Sequence, residues 1–157
     1  MVDRRPYVRT RADTSTFLRK LSYTARVELV DGAKLVGRRG NPDYFTGEVW
    51  QEPLAENALN DVKMVRVSFA PGARTAWHTH PAGQLLYVTS GRGLVQKAGE
   101  PIRVIATGDS VIIGAGEKHW HGAAADCPMQ HIAVHTSVNG VAADWLQLVS
   151  DAEYNGA

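Results

Sequence analysis

From residue 44 onward the chain is a succession of short extended runs separated by Gly, Pro and Asp. In residues 63–69, Val65, Val67 and Phe69 alternate with more polar residues, a pattern typical of a half-buried strand. The other predicted strands cover residues 45–51, 84–89, 93–97, 102–106, 110–113, 119–123 and 129–136, and residues 144–149 fit either a final strand or one helical turn. Runs this short, with no helical period between them, predict an all-β fold built as an antiparallel barrel or sandwich rather than from βαβ units.

The charges of this 157-residue chain are unevenly distributed, although its net charge is +1. Residues 1–40 hold ten Lys and Arg against four acids, whereas residues 41–157 hold seven against twelve. We therefore expect a basic N-terminal arm, residues 1–26, followed by a single β-barrel domain, residues 27–157. Within the arm, candidate N-cap residues before an apolar set are consistent with a short helix over residues 13–21. The arm lacks the interleaved aromatic residues of a nucleic-acid-binding module, so no nucleic-acid partner is expected.

Cysteine usage and hydropathy indicate the cellular compartment in which the protein is expected. Cys127 is the single cysteine, so no intrachain disulfide can form, and a small buried thiol is its simplest interpretation. The sequence contains no run of roughly 18 apolar residues, which a membrane span requires. These two features favour a soluble cytoplasmic protein with no membrane partner.

Three histidines and one amide have the spacing of a metal site. His78 and His80 are two residues apart, and side chains at i and i+2 of an extended segment lie on the same face. A turn containing Pro and Gly then brings Gln84 back towards them, and a separate strand supplies His119. We predict that His78, His80, Gln84 and His119 bind one divalent metal ion.

The remaining three histidines are candidates for proton transfer. His121 lies two positions beyond His119, and His131 and His135 flank Ala133 on one face of the next strand. If that face lines the barrel, these histidines surround the open positions of the metal, and an imidazole with an ordinary pKa near 6.5 is suited to moving protons at neutral pH. We rank His131 first as the catalytic residue, then His121, with His135 as a residue facing the substrate.

Two spaced motifs carry a family resemblance. Residues 72–91 read G-x5-H-x-H-x3-Q-x6-G, and residues 108–119 read G-x5-G-x-G-x2-H. They resemble the first and second motifs of the cupin superfamily, which implies a jelly-roll-type antiparallel β-barrel. Gln84 stands where cupins usually have glutamate, and Gly114 stands where the second motif usually has proline.

These departures point towards a narrower group. Residues 71–81 together with residues 116–123 are similar to the small bacterial manganese-dependent hydroxynitrile lyases of cupin fold, which also use glutamine as a metal ligand. The likeness runs from about residue 43 to residue 145. It implies a metal-dependent lyase that cleaves or forms cyanohydrins, with a small molecule as its substrate.

The donor set is consistent with such chemistry. Three imidazoles and an amide are all neutral, so a bound ion keeps its full charge as a Lewis acid and retains open positions for substrate or water. Mn²⁺ is the expected metal and Fe²⁺ the next, with Zn²⁺, Co²⁺ and Ni²⁺ chemically possible. In the mechanism that we expect, a histidine removes the hydroxyl proton of a cyanohydrin and the bond to the cyano carbon breaks.

An apolar wall for the substrate is expected from Val65, Val67 and Phe69 with Tyr44 or Phe45, although barrel packing explains these residues equally well. Trp77, Trp120 and Trp145 are expected to be packing residues. Three alternative functions remain open. The same histidines could hold Fe²⁺ in a cupin oxygenase, the protein could be an isomerase or decarboxylase acting on a small carbonyl or polyketide-like metabolite, or it could be a non-catalytic small-molecule-binding cupin.

Assembly is the last expectation from the sequence. Small cupins commonly pair through sheet edges, and an N-terminal arm can cover such an edge or extend onto a neighbouring subunit. We therefore expect a homodimer or a homotetramer.

Overall fold

A computed structural model describes residues 27–57 and 61–156 of the chain. The arm of residues 1–26, with the helix predicted over residues 13–21, lies outside the described residues. Within them the chain forms twelve β-strands, a single 3-10 turn at Gly32–Lys34 and one short α-helix. The strands are β1 (Arg38–Arg39), β2 (Phe45–Thr46), β3 (Val49–Asn57), β4 (Val62–Phe69), β5 (Arg74–Thr75), β6 (His78–Thr79), β7 (Gln84–Lys97), β8 (Arg103–Ala106), β9 (Ser110–Ile113), β10 (His119–Ala123), β11 (Met129–Thr136) and β12 (Asp144–Trp145), and the helix is α1 (Asp151–Tyr154).

The strands form two antiparallel sheets that share one long strand. The first sheet has the order β1-β3-β4-β11-β7-β9. In the second sheet β7 pairs with β8 and β10, and β10 pairs with β5 and β6. At the margin of this sheet β2 pairs with β5, and β12 pairs with β6. The expectation of an all-β, antiparallel jelly-roll-type barrel is therefore confirmed.

Strand β7 passes from one sheet to the other at a bulge and a glycine. Its buried side chains include Leu86 before this point and Val95 after it, so the alternation changes from even to odd positions. The register with β11 shifts at Thr89, and one extra residue on a strand causes such a change. Gly91 has a φ of +80°, and a Cβ there would collide with the carbonyl oxygen of Pro128. The prediction of two separate strands, residues 84–89 and 93–97, was wrong because this corner bends the strand without ending it.

Two other predicted segments differ from expectation. The predicted strand 45–51 is divided into β2 and β3 at Gly47, which has a φ of +80° and packs against Ala73. Residues 144–149 contain only the two-residue strand β12, and the helical turn follows it as α1. Ser150 begins α1 with a capping box in which its side chain and that of Glu153 each bind the other's backbone N–H.

The C-terminal segment packs on the outer side of the second sheet. Arg74 is buried and donates from Nε and Nη2 to the carbonyl oxygen of Val149, at 3.1 and 2.9 Å. Its guanidinium lies 4.7 Å from the ring centroid of Tyr154, whose hydroxyl donates to the carbonyl oxygen of Ala123 in β10. Trp120 packs in the same cluster. These contacts hold β5 and β10 in place, and both strands carry residues of the site described next.

Candidate metal centre

Strand β6, its following turn and the start of β10 bring three histidines together. His78 and His80 are both buried, and His119 lies directly opposite His78 in the register between β6 and β10. One nitrogen from each of the three rings lies within 4.8 Å of the other two. The turn after His80 contains Gly83, whose φ is +82°, and it starts β7 with Gln84 directed at the same point. The amide oxygen of Gln84 is 3.3 Å from Nε2 of His119.

The backbone orients each of these imidazole rings. Nδ1 of His78 lies 3.0 Å from the carbonyl oxygen of Ala76, Nδ1 of His80 lies 2.6 Å from that of Ala142, and Nδ1 of His119 lies 2.8 Å from that of Glu117. A carbonyl oxygen can only accept, so Nδ1 carries the proton in each ring and Nε2 keeps a lone pair.

Burial keeps the same rings neutral. It lowers the pKa of His78 well below its ordinary value and lowers the pKa of His80 as well. The pKa of His119 falls to about 4, mainly because of burial. Buried Nε2 of His80 has no hydrogen-bond partner among the described residues. Three neutral nitrogen donors and an amide oxygen around one point fit a divalent transition-metal ion.

A cavity of about 380 Å³ opens beside these donors, between the two sheets. Phe45, Val65, Val67 and Trp145 form its apolar walls. None of the described side chains that line it is acidic. Such a cavity suits a small ligand with an apolar body and a polar group near the histidines.

A pair of histidines lies deeper in the cavity. His121 and His131 are buried, and Nε2 of His131 is 3.2 Å from Nδ1 of His121. Burial lowers the pKa of His131 to about 4 and that of His121 well below its ordinary value. Their outer nitrogens, Nε2 of His121 and Nδ1 of His131, have no hydrogen-bond partner among the described residues. Whichever ring donates to the other, one outer nitrogen is protonated and the other keeps a lone pair, so the pair can accept a proton at one end and release one at the other.

His135 lines the same cavity nearer its mouth. Its ring centroid is 5.1 Å from that of His80, and it lies opposite Gln84 in the register between β11 and β7. Burial lowers its pKa to about 4. Five of the six histidines therefore line one cavity, and the sixth, His119, lies beside it with its ring centroid 4.2 Å from that of His78.

Val65, Val67 and Phe45 of the predicted wall line the cavity, and two aromatic residues are placed differently from what the sequence suggests. Tyr44 is not among the residues that line the cavity; it stacks on Trp145 with ring centroids 4.8 Å apart, on the far side of that ring. Trp145, expected to be a packing residue, lines the cavity and stacks on His78 at 4.7 Å. The sequence reasoning also missed Thr75, which lines the cavity and whose hydroxyl accepts from the backbone N–H of His121. No periodic signal marks Thr75, because the chain leaves the strand conformation between β5 and β6.

The fold and the histidine centre define the class of protein. Residues 65–135 match the cupin domain family, and this chain belongs to the cupins. It is 47% identical over 119 residues to an (R)-mandelonitrile lyase of Granulicella tundricola, a match that covers 74% of this chain and 89% of that protein.

Solved structures agree with this family. A cupin-like protein of Thermotoga maritima is 45% identical, with a TM-score of 0.72 over 76% of this chain and 91% of that one. A predicted oxalate decarboxylase of the same organism has a TM-score of 0.61 over 68% of this chain and 96% of that one, but at 21% identity the likeness concerns the fold alone. Among the described residues, none of the helices has the length and apolar character needed to cross a bilayer.

Proposed function

We propose that this protein is a metal-dependent hydroxynitrile lyase, which cleaves a cyanohydrin to an aldehyde or ketone and hydrogen cyanide, or catalyses the reverse addition. The observation that carries the proposal is the convergence of His78, His80, His119 and Gln84 beside a cavity that also contains a neutral histidine pair. The similarity to an (R)-mandelonitrile lyase supports the choice of substrate class.

The metal ligands in this proposal are Nε2 of the three histidines and the amide oxygen of Gln84. Mn²⁺ is the proposed ion, because an oxygen donor joins the imidazoles and because the related lyases that the sequence resembles use manganese. When bound there, a divalent ion would supply Lewis acidity that makes a neighbouring hydroxyl group more acidic. Since no ligand is anionic, none of that charge is neutralised by the protein.

The histidine pair moves the proton. His131 accepts the hydroxyl proton of the cyanohydrin at Nδ1 and passes its Nε2 proton to Nδ1 of His121 through their hydrogen bond. As that proton leaves, the carbon–oxygen double bond forms, the bond to the cyano carbon breaks and its electron pair departs with cyanide. His121 returns a proton from Nε2, so the products are a neutral carbonyl compound and hydrogen cyanide, and both rings end neutral.

The pKa of about 4 for His131 is consistent with this role. The ring is unprotonated at neutral and mildly acidic pH and is ready to accept a proton without first losing one. Phe69 packs against His131 with ring centroids 5.5 Å apart, and both histidines are buried, which limits the access of water to the pair. His135 faces the substrate near the cavity mouth. The apolar group of the substrate packs against Phe45, Val65 and Val67.

The test is anaerobic release of benzaldehyde from mandelonitrile at mildly acidic pH. We expect activity in the Mn²⁺-loaded protein and its loss in both chelator-treated protein and His78→Ala. His131→Gln should retain metal, as measured by elemental analysis, but lose at least about a hundredfold in kcat. No activity in a protein shown to hold a full metal complement would exclude the lyase, and turnover that requires oxygen would favour the cupin oxygenase instead.

A further inference from the structure

The register of the first sheet places a row of inward-facing residues from its edge to the histidine pair. Arg38 on β1 lies opposite Gln51 on β3, Gln51 lies opposite Val67 on β4, and Val67 lies opposite His131 on β11. All four residues line the cavity. Neighbouring strands are about 4.8 Å apart, so three strand spacings separate the Cα atoms of Arg38 and His131 by about 14 Å.

A second row reaches the metal donors from the same side. Lys63 on β4 lies opposite His135 on β11, and His135 lies opposite Gln84 on β7. Lys63 also lines the cavity, and its Nζ is 3.5 Å from a carboxylate oxygen of Glu56. The first row therefore begins with the exposed Arg38 at the mouth of the cavity, whereas the second begins with Glu56 on β3, which lies opposite Lys63. Both rows end at residues of the site.

The charges at this mouth are unbalanced. None of the described residues lining the cavity is an Asp or a Glu. Glu56 partly compensates Lys63, but within residues 27–57 and 61–156 no carboxylate forms an ion pair with Arg38. A guanidinium presents several N–H donors in a planar fork that matches a carboxylate, so an unpaired arginine at a cavity mouth favours a ligand with that group.

We propose that Arg38, assisted by Lys63, is a specificity-determining residue that selects substrates with a carboxylate at the end remote from the reacting carbon. This inference rests on the proposed function for the identity of the reacting end. The substrate class is a cyanohydrin, or the corresponding aldehyde, whose apolar body contacts Val65 and Val67 while its carboxylate meets Arg38 at the mouth.

Binding of paired non-reactive probes tests the inference. 4-(Hydroxymethyl)benzoate and benzyl alcohol differ only in the remote carboxylate, and their dissociation constants for the Mn²⁺-loaded and metal-free protein can be measured by ligand-observed NMR titration. The parent should bind the carboxylate probe about fivefold more tightly, since one charge-assisted hydrogen bond at a partly exposed site contributes about that factor. Arg38→Gln should remove the preference, and Arg38→Lys should restore part of it.

Arg39→Gln is the matched control. Arg39 is the next residue of β1, lies opposite Trp50 and does not line the cavity, so its removal changes the net charge equally and should leave the preference intact. Equal binding of both probes by the parent would overturn the inference, as would a preference that survives in Arg38→Gln or disappears in Arg39→Gln.

Failure of this inference can be distinguished from failure of the proposed function. A protein that cleaves mandelonitrile but binds both probes equally is a lyase without the carboxylate selectivity. A protein that binds the carboxylate probe through Arg38 but cleaves no cyanohydrin keeps the anion-selective mouth and loses the lyase assignment.

Discussion

Replacing the buried His131 should change how the stability of the protein depends on pH. The pKa of His131 is about 4 in the folded protein because the ring is buried, against an ordinary value of 6.5. Between these two values the unfolded chain binds one proton more than the folded protein at this residue, so the stability that the neutral ring contributes is present above pH 6.5 and is lost as the pH falls towards 4.

The magnitude follows from that pKa difference. One proton corresponds to about 1.4 kcal/mol per pH unit, so His131 alone should reduce the free energy of unfolding by about 2 kcal/mol between pH 7 and pH 5. His131→Gln removes this titration while an amide of similar size can still hydrogen bond with Nδ1 of His121. Between pH 7 and pH 5 the free energy of unfolding of the variant should therefore fall by about 2 kcal/mol less than that of the parent. This difference does not depend on how stable the variant is at pH 7.

Urea unfolding at pH 7, 6 and 5, followed by tryptophan fluorescence on chelator-treated protein, measures this difference. The histidines that do not contact His131 titrate in parent and variant alike, so they cancel in the comparison. The pKa of His121 is lowered mainly by burial and only secondly by His131, and this ring stays buried in the variant. Ile132→Val, a change at the next residue of β11, is the control and should keep the slope of the parent. Parallel pH profiles for the parent and His131→Gln would refute the reasoning, because they would mean that burial does not depress the pKa of this ring.

Three further predictions concern the scaffold and the assembly. Gly91→Ala should cost about 3 kcal/mol or more in thermal or urea unfolding because of both its positive φ and the clash of a Cβ, whereas Gly99→Ala, with a φ of +80° but open space around it, should cost about 1 kcal/mol. Arg74→Met should cost about 2 kcal/mol by urea unfolding, since it leaves the buried carbonyl oxygen of Val149 without its donor. Arg74 also forms an ion pair with the exposed Asp151, and Asp151→Asn should cost less than about 0.5 kcal/mol. Light scattering should give the mass of a dimer or tetramer for the full chain and a smaller one after deletion of residues 1–26; an unchanged mass would argue against an interface formed by the arm.

Much of the fold could be predicted because strand patterns are local. The alternation in residues 63–69 and 129–136 follows from the period of 2 along a strand, and both segments are strands in the structure. The spacing of His78 and His80 has the same origin, which is why their placement on one side could be expected from adjacent residues. The two motifs then extended this local information to His119, since a family pattern already contains the long-range pairing of β6 with β10.

Other features depended on contacts between distant residues. Thr89 is an extra residue only in relation to β11, the strand with which β7 pairs. Residues 84–97 by themselves therefore do not distinguish one bent strand from two. The position of Trp145 against His78 depends on the pairing of β12 with β6. Arg38 could not be identified as a cavity residue from the charge distribution, because its position follows from the register of β1 on β3.

The sequence by itself determined the all-β class, the positions of most strands and the set of histidines, because strand period, turn residues and motif spacing depend on near neighbours along the chain. The tertiary structure decided which of those histidines share a hydrogen bond, which side chains line the cavity, and that its mouth carries Arg38 and Lys63 without an acidic lining residue. Those properties depend on strand register, in which a shift of one residue turns every side chain of a strand to the opposite face of its sheet.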